Sequence, residues 1–292
     1  MAREACGAPF LGRWLARHGA AAPALIYLAL FFFVPFGLMT VLSFWHAENY
    51  QLTATFTLDN YRDTLTAPLD AAIFVRTVWL SLVVVLVSVL LGYPVAFFLA
   101  RRVRRFQHML VVAAVLPLWT SYLIRTFAWI PILSRTGAVN RALEAMGLID
   151  HPIDGLLYSQ FTVVVALVGI YLPYMILPCY ANLERLDGRL FEAAVDLGAG
   201  PIQLFWHVLL PLSAPGIAVG GLFVFILAMG SYVTPALLGG NGGTLIGQQI
   251  AEQFLNLANY PLGSAMALVL MGVILVLALW TLRRFGAGEL YA

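Results

Sequence analysis

The 292-residue chain contains no lysine, and all sixteen of its basic residues are arginine. A phosphate-binding P-loop uses a lysine to reach the β- and γ-phosphates of a nucleotide, so a standard ATP site is excluded from this chain. Any ATP hydrolysis linked to the protein must come from another chain. Charge of either sign is scarce: charged residues make up 10% of the sequence against 62% hydrophobic, with a mean hydropathy of +0.90. Soluble domains carry roughly 25% charged residues, which leaves no room here for a sizeable soluble domain. There are two cysteines, Cys6 and Cys179, with no evident disulfide pairing. The histidines, His18, His46, His108, His151 and His207, lack ligand spacing such as i, i+4, so no metal site is expected. No Ser-His-Asp set, carboxylate pair or H-E-x-x-H sequence appears either. Gly239-Gly240-Asn241-Gly242-Gly243 lacks the lysine of a phosphate cradle and reads as a flexible turn.

Long uncharged apolar runs fill the chain instead. Stretches long enough to cross about 30 Å of hydrocarbon occupy residues 19–44, 77–100, 155–182, 212–238 and 263–282. A sixth, from Met109 to about Ile130, is interrupted only by Arg125. The reading is an all-α membrane protein, one domain over 1–292, with spans at about 22–45, 77–100, 109–131, 160–182, 212–238 and 262–283. Six spans put both termini on one side. If that side is the cytoplasm, the inner segments hold Arg3, Arg13, Arg17, Arg101, Arg102, Arg104, Arg105, Arg185, Arg189, Arg283 and Arg284. The outer segments hold Arg62, Arg76, Arg135 and Arg141. Eleven arginines against four satisfies the positive-inside rule and makes the segment 183–211 cytoplasmic. The run Arg101-Arg102-Val103-Arg104-Arg105 abuts a span and reads as a topology anchor, not a nucleic-acid patch. The first apolar run is too long for a signal peptide, and its small residues precede it, so it is expected to stay uncleaved.

The segment 183–211 is a polar island with its own architecture. Glu192 to Leu197 favours helix, Gly198-Ala199-Gly200-Pro201 breaks it, and Ile202 to Leu210 is expected to form a second short helix before Pro211. Glu184, Asp187, Glu192 and Asp196, with Arg185 and Arg189, offer salt-bridging groups beside an apolar stripe of Leu186, Leu190 and Ala194. Such a pattern suits a protein partner better than a small ligand.

Glu192-Ala193-Ala194, Gly198 and Val208-Leu209-Leu210-Pro211 together resemble the "EAA" cytoplasmic loop of permease subunits in binding-protein-dependent ABC importers. Those permeases usually have Ile where this chain has Val208. Phe56-Thr57-Leu58-Asp59-Asn60-Tyr61, Gly92-Tyr93-Pro94, Pro117 to Arg125 and Glu192 to Ala199 look like the permeases of spermidine/putrescine importers, densely from about Arg76 to Arg284. The resemblance implies a six-span type I importer fold in the bacterial inner membrane. It also implies a second permease that is a different chain, an ABC ATPase dimer that binds ATP and Mg, and an external substrate-binding protein. Carried over to this chain, Glu192, Ala193, Ala194, Asp196, Gly198 and Pro211 couple to the ATPase: Gly198 sets the turn, the alanines permit close approach, and Glu192 supplies a polar contact. The alternative is that Glu192 only caps or pairs within the loop. Polyamines are the implied solutes, with γ-aminobutyrate or an aminophosphonate as alternatives.

Within the membrane, Trp119, Tyr122 and Trp129 recur at roughly helical spacing, Tyr171 and Tyr174 flank Pro173, and Tyr232, Thr234 and Pro235 sit near the end of the fifth span. Aromatic faces and hydroxyls could line a cation pathway, and Pro94, Pro117, Pro173 and Pro235 are expected to break or bend their helices around it. The competing reading is an interfacial aromatic belt. Arg125 either serves a cavity or snorkels to the outer interface, and it would repel a polyamine. Gly216, Gly220 and Gly221 form a small-residue face, either an internal seam or one with a second permease. The outer segments, with Glu48, Asp59, Asp63, Asp70, Glu144, Asp150 and Asp154, make an acidic external face. No Asp or Glu lies deep in a span, which argues against a proton-coupled secondary transporter, and an intramembrane enzyme lacks a catalytic constellation.

Overall fold

A computed structural model of the protein describes residues 22–48, 51–103, 105–240 and 242–285. The expected cytoplasmic amino-terminal flank with Arg3, Arg13 and Arg17, together with Cys6, His18, Arg104 and Asn241, lies outside the described residues.

Three long helices make the core. The first of them, α3 (Pro68–Arg101), follows α1 (Ala22–Leu42) and the short outer helix α2 (Asp59–Thr66). Its 34 residues correspond to about 51 Å at about 1.5 Å per residue, more than the hydrocarbon needs. It packs on α8 (Gln160–Arg185) and α11 (Leu210–Met229), which also pack on each other. Small residues bring these backbones together. A Cβ at Gly216 would stand 2.7 Å from the Asn182 Cβ, and one at Gly220 would stand 2.9 Å from Met175 Sδ and 3.2 Å from its carbonyl oxygen. The small-residue face is therefore an internal seam between α11 and α8. Tyr93 and Ser213 share a buried hydrogen bond of 2.8 Å that ties α3 to α11, within a core that includes Val84, Leu167, Met175 and Val224.

Among the described residues four helices are long and apolar enough to cross a membrane: α3, α8, the continuous run Pro201–Met229, and α14 (Tyr260–Phe285). A fifth crossing exists only if two arms bent by 93°, Gln107–Trp119 and Tyr122–Ala145, count as one. The expected continuous span at 109–131 is thus broken. The first arm is α4 (Gln107–Val115) and a 3₁₀ turn (Leu116–Trp119); Thr120 and Ser121 are then extended before α5 (Tyr122–Phe127), α6 (Trp129–Leu133) and α7 (Ala138–Ala145). The span expected at 212–238 is also divided: α11 stops at Met229, and α12 (Val233–Leu238) restarts after Gly230-Ser231-Tyr232. Pro94 and Pro173, expected to interrupt their helices, sit inside α3 and α8 without ending them. The shorter apolar helix within α1, Ile26–Leu42, exposes nearly all its large side chains and touches α14.

Between α1 and α2 runs a two-stranded antiparallel ribbon, β1 (His46–Glu48) with β2 (Gln51–Thr53), which the all-α reading omits. It is held by Asn60 of α2, whose amide donates to the Ser43 and Trp45 carbonyls at 2.9 and 2.7 Å. Helix α13 (Ile246–Leu255) is tied to α3 because the Ile246 backbone N–H donates to Thr77 Oγ1 at 2.8 Å. The glycine stretch before it is closely packed at its start, where a Cβ at Gly239 would lie 2.6 Å from the Pro235 carbonyl oxygen and one at Gly240 2.8 Å from that of Tyr158, and open at Gly242, where a Cβ would meet nothing within 4 Å.

Candidate functional site

The polar island folds as a projecting helical hairpin. Helix α8 ends at Arg185, Leu186 and Asp187 are extended, and Asp187 Oδ1 accepts the Arg189 N–H at 3.0 Å to start α9 (Gly188–Asp196). At the far end the Gly198 N–H donates to the Val195 carbonyl (2.8 Å) and the Ala199 N–H to the Ala194 carbonyl (3.0 Å). This paired pattern closes a helix through a left-handed residue, and Gly198 has φ +85°. Next comes α10 (Pro201–Leu204), where Gln203 Oε1 accepts the Gly200 N–H at 3.2 Å. The second helix does not stop at Pro211. A π turn over Phe205–Leu209 joins α10 to α11, with the Leu210 N–H reaching back to the Phe205 carbonyl. The wider turn accommodates the proline ring without breaking the run.

Glu192, Ala193, Asp196, Gly198 and Pro211 are exposed, and Ala194 is half-buried. Among the described residues Glu192 makes no side-chain hydrogen bond or ion pair, and the helix cap is Asp187, so the within-loop role for Glu192 has no support. Nor do the loop carboxylates and arginines pair with one another: the ion pair found among the described residues is Arg135–Asp154, far from the hairpin in sequence. Glu184 is engaged by Tyr180 and Gln107, which donate to Oε1 at 2.7 and 3.3 Å. The expected apolar stripe is incomplete, since Leu186 packs inward while Leu190 is exposed. The apolar tip is instead Leu197, 89% exposed, with Ile202 and Trp206 nearby in sequence. The signal for it was three large apolar residues flanking a glycine turn in a polar loop.

In the membrane, the two broken helices converge. Tyr122, Arg125, Tyr171, Tyr174 and Tyr232 line one cavity of about 370 Å³ together with Ser231, at the break that ends α11. The Tyr122 hydroxyl lies 2.9 Å from Ser231 Oγ and 2.7 Å from Thr234 Oγ1, so it bonds the start of α5 to the α11–α12 break. Its ring stacks on Tyr171 at 6.4 Å, and Tyr171 meets Tyr174 edge-on at 6.3 Å. Arg125 donates to the Ile170 carbonyl at 3.3 Å, while its Nε is buried and without a hydrogen-bond partner. Arg125 therefore lies in the wall of the cavity. No carboxylate lines this space. Exposed backbone at two helix breaks is tolerated where it borders a cavity, and the lining presents hydroxyls, aromatic faces and one cation. Trp119 is excluded: it is 82% exposed and on the other side of the Thr120–Ser121 bend. Trp129 packs against Gly169 of α8, where a Cβ would stand 2.8 Å from its ring. Ser231 was missed in the sequence, although Gly230-Ser231 is a helix-breaking pair.

Residues 92–287 match the family model described as "Binding-protein-dependent transport system inner membrane component". The chain belongs to this family. It is a multi-pass inner-membrane permease subunit of an ABC importer, a transport component and not an enzyme. The permease is 37% identical over 262 residues to the spermidine/putrescine transport system permease protein PotB of Escherichia coli strain K12, covering 88% of this chain and 94% of the relative. The corresponding protein of Haemophilus influenzae is 37% identical over 270 residues, 91% of this chain and 93% of that one. The inner membrane ABC transporter permease protein YdcU of E. coli is 34% identical, with 89% and 87% coverage. The permease also has the fold of a chain in the crystal structure of a bacterial alginate ABC transporter, at 18% identity and a TM-score of 0.70, with 94% and 96% covered. An importer of this kind works with an ATPase and a binding protein.

Proposed function

We propose that this permease carries a polyamine of the spermidine/putrescine type, or a related small organic solute, across the bacterial inner membrane. The observation that carries the reading is the 37% identity, over about nine-tenths of the chain, to permeases named for spermidine/putrescine transport. In this reading the chain acts as one six-span domain over 1–292 with both termini cytoplasmic, which the arginine asymmetry supports. The bent pair of arms is its third crossing and α1 its first. The loop 183–211 docks on an ATPase dimer: Glu192, Asp196 and the apolar tip at Leu197 face the partner, Ala193 and Ala194 allow close approach, and Gly198 shapes the end. Pro211 roots the hairpin in α11. This chain holds no cofactor; ATP and Mg are bound by the ATPase. A second permease of different sequence completes the pathway, and an external binding protein delivers the solute to it. The tyrosine-lined cavity is this subunit's share of that pathway.

A second reading follows from Arg125. A guanidinium facing a cavity without a carboxylate suits a solute bearing an anionic group, such as γ-aminobutyrate or an aminophosphonate. The chain is 26% identical over 56% of its length to a putative 2-aminoethylphosphonate transport system permease of Salmonella paratyphi A. The test is ATP hydrolysis by the purified complex in proteoliposomes with its binding protein, measured separately with spermidine, putrescine, γ-aminobutyrate and 2-aminoethylphosphonate. Stimulation by a polyamine alone is expected. Stimulation confined to the two anionic solutes would transfer the reading to them, and failure of any ATPase to co-purify would remove the docking assignment.

A further inference from the structure

Arg101 ends α3 at the cytoplasmic side, in a run of arginines that orients the chain in the membrane. Its side chain reaches partners in the hairpin. The Arg101 guanidinium donates from Nη2 to the Leu186 carbonyl at 2.7 Å, and its Cζ stands 4.8 Å from the centre of the Phe191 ring. Leu186 is the capping residue at the carboxyl end of α8, where carbonyls lack helical partners and a cation is favoured. Phe191 lies on α9, between the capping Asp187 and the exposed Glu192, and it is the α9 side chain that packs towards the bundle core. No residue of α9 is fully buried. The neighbouring Arg102, by contrast, is exposed, and no side-chain hydrogen bond or cation–π contact is found for it among the described residues.

We propose that Arg101 is the clamp that fixes the cytoplasmic hairpin to α3, so that displacement of α9 by the ATPase moves α3 as well. This rests on the docking assignment of the loop. The grip has two parts: a charge-assisted hydrogen bond at the root of the hairpin and a cation–π contact on its first helix. Helix α3 is well placed to carry the motion outward. It is unbroken for 34 residues, it packs on both other core helices, and at its outer end Thr77 holds the first residue of α13. Arg101 is thus a positioning residue that touches neither nucleotide nor solute.

The test uses the assembled complex in proteoliposomes, with spermidine and the binding protein, and reads stimulated and unstimulated ATP hydrolysis together with uptake. Arg101→Met is expected to lower stimulated hydrolysis and uptake about tenfold, the scale of losing one charge-assisted bond, while ATPase still co-purifies and unstimulated hydrolysis persists. Arg101→Lys, which keeps the cation but not the planar fork, should recover part of the loss. Arg102→Met removes the same topological charge and should couple normally. Phe191→Leu should produce a smaller loss that is less than additive with Arg101→Met; it also serves if Arg101→Met fails to assemble. Equal losses for Arg101→Met and Arg102→Met would reduce Arg101 to a topology anchor and overturn the proposal. So would normal coupling in Arg101→Met alongside uncoupling in Gly198→Asp, which leaves the docking assignment standing. Normal coupling in both variants would overturn the docking assignment and the clamp together.

Discussion

The projecting hairpin and the tyrosine-lined cavity put their polar groups to opposite use. In the hairpin, Glu192 and Asp196 are exposed and the apolar Leu197 stands in the open, while local backbone turns do the holding. In the cavity, Tyr122, Ser231 and Thr234 satisfy one another, and two broken helices depend on that exchange. A group with no internal partner is free to serve another molecule at little cost to the fold. A group that closes a buried network cannot change without disturbing the structure. Substitutions in the hairpin should therefore alter coupling at constant stability, and substitutions in the cavity should alter both.

The largest effect that sharpens this contrast is expected from Gly198→Asp. A Cβ there would meet open space, so the damage is confined to a left-handed backbone at φ +85° and a charge at the docking tip. Solute-stimulated ATP hydrolysis should fall at least about tenfold, the scale expected when one buried contact at an interface is lost, with the thermal unfolding of the isolated permease nearly unchanged. Next is Tyr122→Phe, which leaves Ser231 and Thr234 without their shared partner. It should destabilise the purified permease by about 1–3 kcal/mol, seen as a lower Tm, and reduce transport in parallel. A normal Tm in that variant would break the contrast. Glu192→Ala should weaken coupling less than Gly198→Asp, because it removes one exposed contact and leaves the turn intact; equal loss in hydrolysis assays would shift the main role to Glu192. Trp119→Ala should have the smallest effect, within about twofold in uptake, because an exposed side chain outside the cavity makes few contacts to lose.

The hairpin was largely legible in the sequence because its signals are local. Helix former, glycine turn and proline fall within twenty residues, and each acts on its immediate neighbours. What went unread there was the continuity past Pro211, which requires a π turn that no single residue announces. The long helices α3, α8 and α14 were legible for a different reason: uncharged length alone implies a crossing. The two breaks were not, since apolar content continues through Thr120-Ser121 and Gly230-Ser231-Tyr232, and the bends are fixed by bonds between residues 109 and 112 positions apart. Pro94 and Pro173 do not end their helices, and close neighbours at Gly92 and Gly220 hold those backbones together nearby. Arg101 was readable as a charge in a run, but its partners in the hairpin are 85 to 90 residues away.

The central claim is that the hairpin transmits ATPase action to a polyamine pathway. It is tested most directly by ATP-dependent uptake of labelled spermidine into proteoliposomes holding the complete complex, with unstimulated hydrolysis recorded in the same vesicles, for wild type and Gly198→Asp. The expected result is uptake by the wild type that is abolished in the variant while the assembled ATPase keeps hydrolysing ATP. Undiminished spermidine uptake by Gly198→Asp would contradict it.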